Sequence, residues 1–297
     1  MQQGEEVFLL LRNESQLWRI KDLINNFRLV YVDLSDQEKL NQAFIDIKPE
    51  VVYHLAAYGA YPYRNGIPYQ QNVNQMIEVN IQGTINLIRS AAQANVRQFI
   101  NAGSSSEYGV KESPMSEDDL LFPTDIYGAT KASSYLIGLN LAQQLHLPFQ
   151  HIRLFSVYGD YEEMTRLIPT VIINHLINQP LKLANPNSVR DFIYIKDVVD
   201  GLVYLGNRYN IERSIINLGT GIQSSVQDVV TIVKSNAKYN PEIHWRSIGS
   251  NPNEPHSWVA NLSKLSATGF RAKYSLTEGL ASALQWFGEH LDLYSSH

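Results

Sequence analysis

The chain contains no cysteine. That excludes disulfides, thiolate metal sites and a cysteine nucleophile. It also lacks a basic excess: 24 Lys and Arg stand against 29 Asp and Glu, for a net charge of -5. A nucleic-acid partner needs a basic face, so this balance argues against one. Nowhere does an apolar run approach the ~18 residues of a membrane span. The N-terminal residues MQQGEEV show no basic-then-apolar leader pattern. The expectation is a soluble cytoplasmic protein with no membrane partner. Its 297 residues, 44% of them hydrophobic, suffice for one large domain or two modest ones.

What is present is a regular alternation. VFLLLR (Val7 to Arg12), RLVYVDL, EVVYHLAA, RQFINAGSSS and FQHIRLF read as strands. Between them LWRIKDLINNF, EKLNQAFIDI, MIEVNIQGTINLIRSAAQAN and IYGATKASSYLIGLNLAQQL carry apolar residues at helical spacing. Near-continuous apolar strands alternating with helices predict an α/β fold, a Rossmann-type parallel sheet with helices on both faces. Such sheets bind nucleotides beyond the C-terminal ends of their strands. After Tyr158 the strands shorten (PLKLA, RDFIYI, SIINLG, EIHW). The expected division is a dinucleotide-binding domain over 1–160 and a smaller substrate lobe over 161–297, with some segments returning to the sheet. The Tyr-, Pro- and Asn-rich loop YGAYPYRNGIPYQQN has the length of a functional loop.

Tyr127 and Lys131 stand four apart at the start of a predicted helix, and so share a face. A phenol with an ordinary pKa of ~10 is a poor base at neutral pH. A neighbouring ammonium favours its phenolate. The pair suits proton transfer at a sugar or alcohol oxygen. Chance alone places such a pair about once among 17 tyrosines, so its context matters. Ser104, Ser105 and Ser106 close the strand upstream. Asn80 lies inside a long helix, where a polar residue is disfavoured unless exposed or bonded.

Taken together these residues resemble the extended short-chain dehydrogenase/reductase family of sugar-nucleotide epimerases, dehydratases and ketoreductases. The motifs run from end to end: VDL (Val32 to Leu34), HLAA (His54 to Ala57), VNIQGT (Val79 to Thr84), SSSEYG (Ser104 to Gly109), YGATK (Tyr127 to Lys131), RLFSVYG (Arg153 to Gly159), RDFIYIKDVV (Arg190 to Val199) and NLGTG (Asn217 to Gly221). The resemblance implies that Tyr127 is the catalytic acid/base and that Lys131 holds the nicotinamide ribose. Ser104, with Ser105 as a near alternative, would orient the substrate oxygen. Asp33 and Leu34 would flank the adenine; Leu55, Ala56, Ala57 and Asn80 would line the cofactor. Arg190 would face the sugar-nucleotide diphosphate, the other reading being an ion pair with Asp191 or Asp197. Ser156 stands where many members carry Asn. SNPNEPHSWVAN has Asn253-Glu254 where an Arg-Pro pair is common, and Arg246 would compensate. No metal is implied; a homodimer built on the two long helices is.

The cofactor implied is NADP or NAD. In this fold an acid at the end of the second strand favours NAD, and a nearby Arg suits the 2′-phosphate of NADP. Here the strand ends LLLRNES, so Arg12 tilts the expectation toward NADP. Glu107 falls one residue late for the dehydratase pattern, which ranks dehydration below the other activities. The combination YHLAAYGAYP, SSSEYG and RLFSVYG most resembles the CDP-4-keto-6-deoxyglucose reductases. The expected reaction is ketoreduction at C4 of a nucleoside-diphosphate hexose, with 4-epimerisation as the alternative. VFLLLR takes the place of the family's second strand, with no first strand, GxxGxxG turn and helix ahead of it. A misplaced start is the favoured explanation, ahead of a truncated gene and of a non-catalytic nucleotide-binding relative.

Overall fold

The protein is described from a computed structural model covering residues 5–13, 15–59, 63–64, 67–68, 72–208, 214–246 and 256–294. Most of the Tyr-rich loop, and Asn253-Glu254, therefore lie outside the described residues.

The first half alternates as its sequence predicts. Strands β1 (Phe8–Leu11), β2 (Arg28–Tyr31) and β3 (Val51–His54) precede a short β4–β5 pair (Tyr63–Arg64 and Ile67–Pro68). Then come β6 (Gln98–Ser104), β7 (Phe149–Leu154) and β8 (Ser156–Tyr158). The helices between them are α1 (Gln37–Ile47), α2 (Val73–Met76), α3 (Gly83–Gln93) and α4 (Ile126–Gln144). Their starts have chemical causes. Asp36 accepts from the Lys39 N–H at 3.0 Å, and Asp125 from the Gly128 N–H at 2.6 Å. Each satisfies a donor that a first helical turn leaves open.

Two segments depart from the expected α-helix. Trp18–Asn26 is a 3₁₀ helix with no side-chain cap and no buried residue. Nothing there compensates the cost of nucleating an α-helical turn. The other is a π-helical stretch, Ile77–Gln82, between α2 and α3. It carries Asn80, which is almost fully buried.

The second half supplies β9 (Leu181–Leu183), β10 (Val189–Tyr194), β11 (Ser214–Leu218), β12 (Gln223–Ser225) and β13 (Ile243–Trp245). Its helices are α5 (Leu167–Ile177), α6 (Ile195–Gly206), α7 (Val226–Asn236), α8 (Ser263–Ala267) and α9 (Leu276–Glu289). The central sheet runs β11-β7-β6-β3, all parallel, with β11 paired to β7. β1 and β2 form a separate parallel pair. Among the described residues β1 hydrogen-bonds only to β2, and β3 only to β6. β12-β10-β8 and β13-β9 form two smaller sheets.

One apolar cluster packs α1, α3 and the first helix-facing side of the sheet, with Leu40, Ile88, Phe99 and Phe149 fully buried. Another joins β6, β7 and β11 to α6 through Ile100, Ile152, Leu205 and Leu218. A third packs α5, α7 and α9 together. No helix among the described residues is long and apolar enough to cross a membrane.

Candidate active site

The C-terminal ends of β3 and β6 and the first turn of α4 carry the residues singled out in the sequence. Ser104 ends β6, and its hydroxyl caps the 3₁₀ turn Ser105–Glu107, accepting from the Ser106 N–H at 3.1 Å. Among the described residues that hydroxyl donates its proton to no acceptor, so one O–H remains for an incoming oxygen. Tyr127 is the second residue of α4 and Lys131 lies one turn on. The serine turn and this helix abut. A Cβ on Gly128 would stand 2.4 Å from the Ser106 carbonyl oxygen, so only glycine lets the two backbones meet.

Lys131 is buried, and burial pulls its ammonium below the ordinary lysine pKa, while the Glu107 charge opposes that fall. Its ammonium makes no hydrogen bond among the described residues. Asn80 is a strut behind it. Its Oδ1 accepts from the Tyr58 N–H at 2.8 Å; its Nδ2 donates to the Tyr58 carbonyl and to Thr130 Oγ1, both at 2.9 Å. That amide ties the loop after β3 to α4 and has no N–H to spare for a ligand. His54 donates from Nε2 to Thr84 Oγ1 at 2.9 Å, since the Thr84 hydroxyl already donates to the Asn80 carbonyl.

Leu55, Ala56 and Ala57 follow β3 as an exposed apolar strip. Leu34 is half-buried after β2. Asp33 spends its carboxylate on the Ser35 N–H and hydroxyl, at 2.8 and 2.7 Å, which lowers its pKa; the Arg12 charge adds to that. Arg12 is exposed at the end of β1. A buried ammonium lacking an acceptor, beside an exposed apolar strip at strand ends, fits the ribose and ring of a dinucleotide.

Arg190 is the second residue of β10, and its guanidinium lies 5.1 Å from the centroid of the Trp258 ring. The two carboxylates named as its alternative partners each accept from backbone amides. Asp191 accepts from the Thr220, Gly221 and Ala260 N–H groups. Asp197 accepts from those of Lys273 and Tyr274. Ser156 opens β8 opposite Phe192 and is half-buried. Arg246 is exposed after β13, its N–H on the Ala184 carbonyl.

Two features were not read from the sequence. Trp258 donates its indole N–H to Ser105 Oγ at 3.0 Å, joining the strap 256–261 to the serine turn. Beneath that turn lies a buried cluster of Glu107, His151 and Arg153. Its signal was a Glu, a His and an Arg inside otherwise apolar strand-end motifs. Among the described residues no group of His, Asp or Glu side chains could hold a metal.

A parallel sheet with helices on both faces, carrying Ser104 and the Tyr127–Lys131 turn toward its C-terminal strand ends, defines an α/β fold of the Rossmann kind. The chain belongs to the NAD dependent epimerase/dehydratase family, whose model matches residues 1–219. It is 28% identical to the UDP-glucose 4-epimerase of Mycolicibacterium smegmatis, over 89% of this chain and 83% of that protein. Identity to the probable UDP-glucuronate 4-epimerase of Rhizobium meliloti is 26%, over 90% of this chain and 82% of that one. Among solved structures, a UDP-glucuronic acid 4-epimerase from Bacillus cereus, in complex with UDP-glucuronic acid and NAD, superimposes with a TM-score of 0.84 at 25% identity. That match covers 96% of this chain and 91% of the other.

Proposed function

We propose that this protein moves a hydride and a proton at C4 of a nucleoside-diphosphate hexose, as a 4-epimerase. The carrying observation is the Ser104 hydroxyl, which accepts from Ser106 and keeps its own proton, on a turn in backbone contact with the Tyr127–Lys131 helix. The relatives named as 4-epimerases support epimerisation over the ketoreduction expected from motifs alone.

In this reading Tyr127 takes the proton of the sugar hydroxyl as the keto sugar forms. It returns that proton to the C4 oxygen when hydride adds back to C4 from the other face of the keto sugar. Ser104 donates to the same oxygen and stabilises charge developing there. Lys131 binds the ribose and lends positive charge. A nicotinamide dinucleotide, when bound, supplies the hydride acceptor and then the hydride donor. Leu55 to Ala57 would line it, with Asp33 and Leu34 at the adenine. Arg190 and Arg246 are the guanidinium groups offered to the diphosphate, and Ser105 and Ser156 the hydroxyls offered to the sugar. NAD is the cofactor proposed, supported by the NAD dependent family and by the Bacillus cereus 4-epimerase structure in complex with NAD. Substrate closes between the 1–160 domain and the 161–297 lobe. A homodimer through α3 and α4 would cover Leu136 and Ile137, which are 51% and 42% exposed.

The test is incubation with NAD and UDP-glucose or UDP-glucuronic acid, with the sugar product and nicotinamide absorbance both followed. An inverted C4 centre with no net cofactor change is expected. Tyr127→Phe should abolish turnover and leave NAD affinity within about threefold, since one hydroxyl is removed from a site that retains Lys131. Net consumption of NADPH on a 4-keto sugar would return the reading to a reductase. Undiminished turnover in Tyr127→Phe would remove the mechanism.

A further inference from the structure

The Ser104 turn rests on a buried carboxylate. Glu107 Oε1 accepts from the Ser104 backbone N–H at 2.8 Å. Its two oxygens stand 2.9 and 3.0 Å from His151 Nε2, and Oε2 accepts from Arg153 Nε at 2.8 Å. All three side chains are essentially inaccessible to solvent. The Asn101 amide donates to His151 Nδ1 at 3.0 Å, so the His151 proton sits on Nε2 and points at Glu107. Arg153 also donates to the Tyr108 hydroxyl at 2.9 Å, which donates in turn to Asn217 Oδ1 at 2.6 Å. Gly103 leaves room for the cluster: a Cβ there would meet His151 Nε2 at 2.3 Å and Glu107 Oε1 at 2.6 Å.

A stabilising ion pair in the core would be a weak explanation. Replacing such pairs with apolar residues is often neutral or favourable. Here, though, one carboxylate does two jobs. It neutralises Arg153 from β7, and it holds the backbone atom next to the hydroxyl that the proposed reaction uses.

We infer that Glu107 is a positioning residue: its carboxylate anchors the Ser104 backbone to β7 and thereby aims the Ser104 hydroxyl at the reacting oxygen. The inference rests on the reading of Ser104 given above. The chain of contacts runs from His151 and Arg153 to Glu107, to the Ser104 N–H, and to a hydroxyl whose lone pair is taken by Ser106. Each link holds the next, so the Ser106 contact leaves the free O–H two of its three tetrahedral directions, both set by the anchored turn.

Two double variants separate positioning from charge balance. Glu107→Leu/Arg153→Met and Glu107→Gln/Arg153→Met both remove the buried charges. Only the second keeps an acceptor for the Ser104 N–H; its amide can donate to His151 Nε2, whose Nδ1–H then donates to Asn101 Oδ1 once that amide turns over. That oxygen is buried and without a partner in the native cluster. The Leu variant should show kcat at least about tenfold below the Gln variant, with KM within about threefold, as for a displaced reacting group. Amide exchange at Ser104 should be slow in the native chain and the Gln variant and fast in the Leu variant. Equal exchange and equal kcat in the two doubles would overturn the inference. The exchange measurement needs no turnover, so it decides the anchor even if the reaction proposed above is wrong. If the Leu variant does not fold, Glu107→Asp gives the answer. It keeps the charge beside Arg153 but withdraws the acceptor by one methylene. A fall in kcat with KM held supports positioning; native kcat overturns it.

Discussion

The indole of Trp258 and the hydroxyl of Ser105 meet at 3.0 Å, one from the strap 256–261 and the other from the turn after β6. The same ring lies under the Arg190 guanidinium, and the Trp258 backbone N–H donates to Gln223 Oε1 at 2.8 Å. Trp258 thus links the proposed sugar end of the site to the proposed diphosphate end. A nucleotide sugar entering there must change the surroundings of this indole. Titration with UDP-glucose should shift tryptophan emission in the native chain and not in Trp258→Phe. Trp258→Leu, which loses both ring and donor, should raise KM about tenfold, in the range of a lost aromatic contact plus a hydrogen bond. An unchanged KM would detach Trp258 from substrate binding.

Asp191 carries a different junction. Its carboxylate is buried and accepts from the N–H groups of Thr220, Gly221 and Ala260 and from the Thr220 hydroxyl. Those donors come from the loop after β11 and from the strap that bears Trp258. Burial raises the Asp191 pKa, and the hydrogen bonds from Thr220, Ala260 and Gly221 oppose that. Asp191→Ala leaves several buried donors unanswered, at ~1–3 kcal/mol each. A loss of about 3 kcal/mol or more is expected in urea unfolding. A loss below about 1 kcal/mol would mean the strap finds other partners at little cost.

Phe99 on β6 and Phe149 on β7 stack at 5.7 Å between ring centroids, both fully buried. They fill the layer between the sheet and α3. Phe149→Ala removes the ring and leaves a cavity, so a loss of about 3–5 kcal/mol is expected. Thermal and denaturant unfolding of the variant check it. Since Phe149 is remote from Ser104's turn, kcat at a temperature where the variant is folded should be near native.

The strand–helix alternation was legible because each strand is an apolar run and each helix keeps its spacing. RQFINAGSSS and FQHIRLF fall on β6 and β7 within two residues at each end. The proximity of Tyr127 to Lys131 followed from helical geometry, and their first turn does open α4. Two kinds of feature were not legible. LWRIKDLINNF has helical spacing yet forms a 3₁₀ helix, because spacing says nothing about capping or burial. Glu107 reads only as a misplaced dehydratase acid. Its partners His151 and Arg153 come from a strand far along the chain, and pairing at that distance leaves no local pattern. Trp258 sits on an irregular strap with no periodicity to mark it.

His54 makes the stability depend on acid in a direction that can be worked out. Burial, helped by the Lys131 charge, brings its pKa down to about 3. The folded imidazole is therefore neutral, donating from Nε2 to Thr84. Unfolded, it takes a proton near the ordinary value of ~6.5. Above that pH both states are neutral and the group adds no pH dependence. Below it the unfolded chain binds a proton that the folded chain refuses, so stability falls as pH drops from ~6.5 to about 3. The slope is about 1.4 kcal/mol per pH unit for this one group. His151, buried and shifted the same way although Glu107 opposes the shift, adds to the trend in its own variant series. His54→Gln keeps an amide donor for Thr84 and removes the titration. It should be less stable than the native chain at neutral pH, and the gap should close as pH falls through the window. Urea midpoints measured on both chains at several pH values below ~6.5 decide it. Parallel curves would mean that folded His54 takes up its proton as readily as the unfolded chain does, and the neutral buried imidazole assigned here would have to be withdrawn.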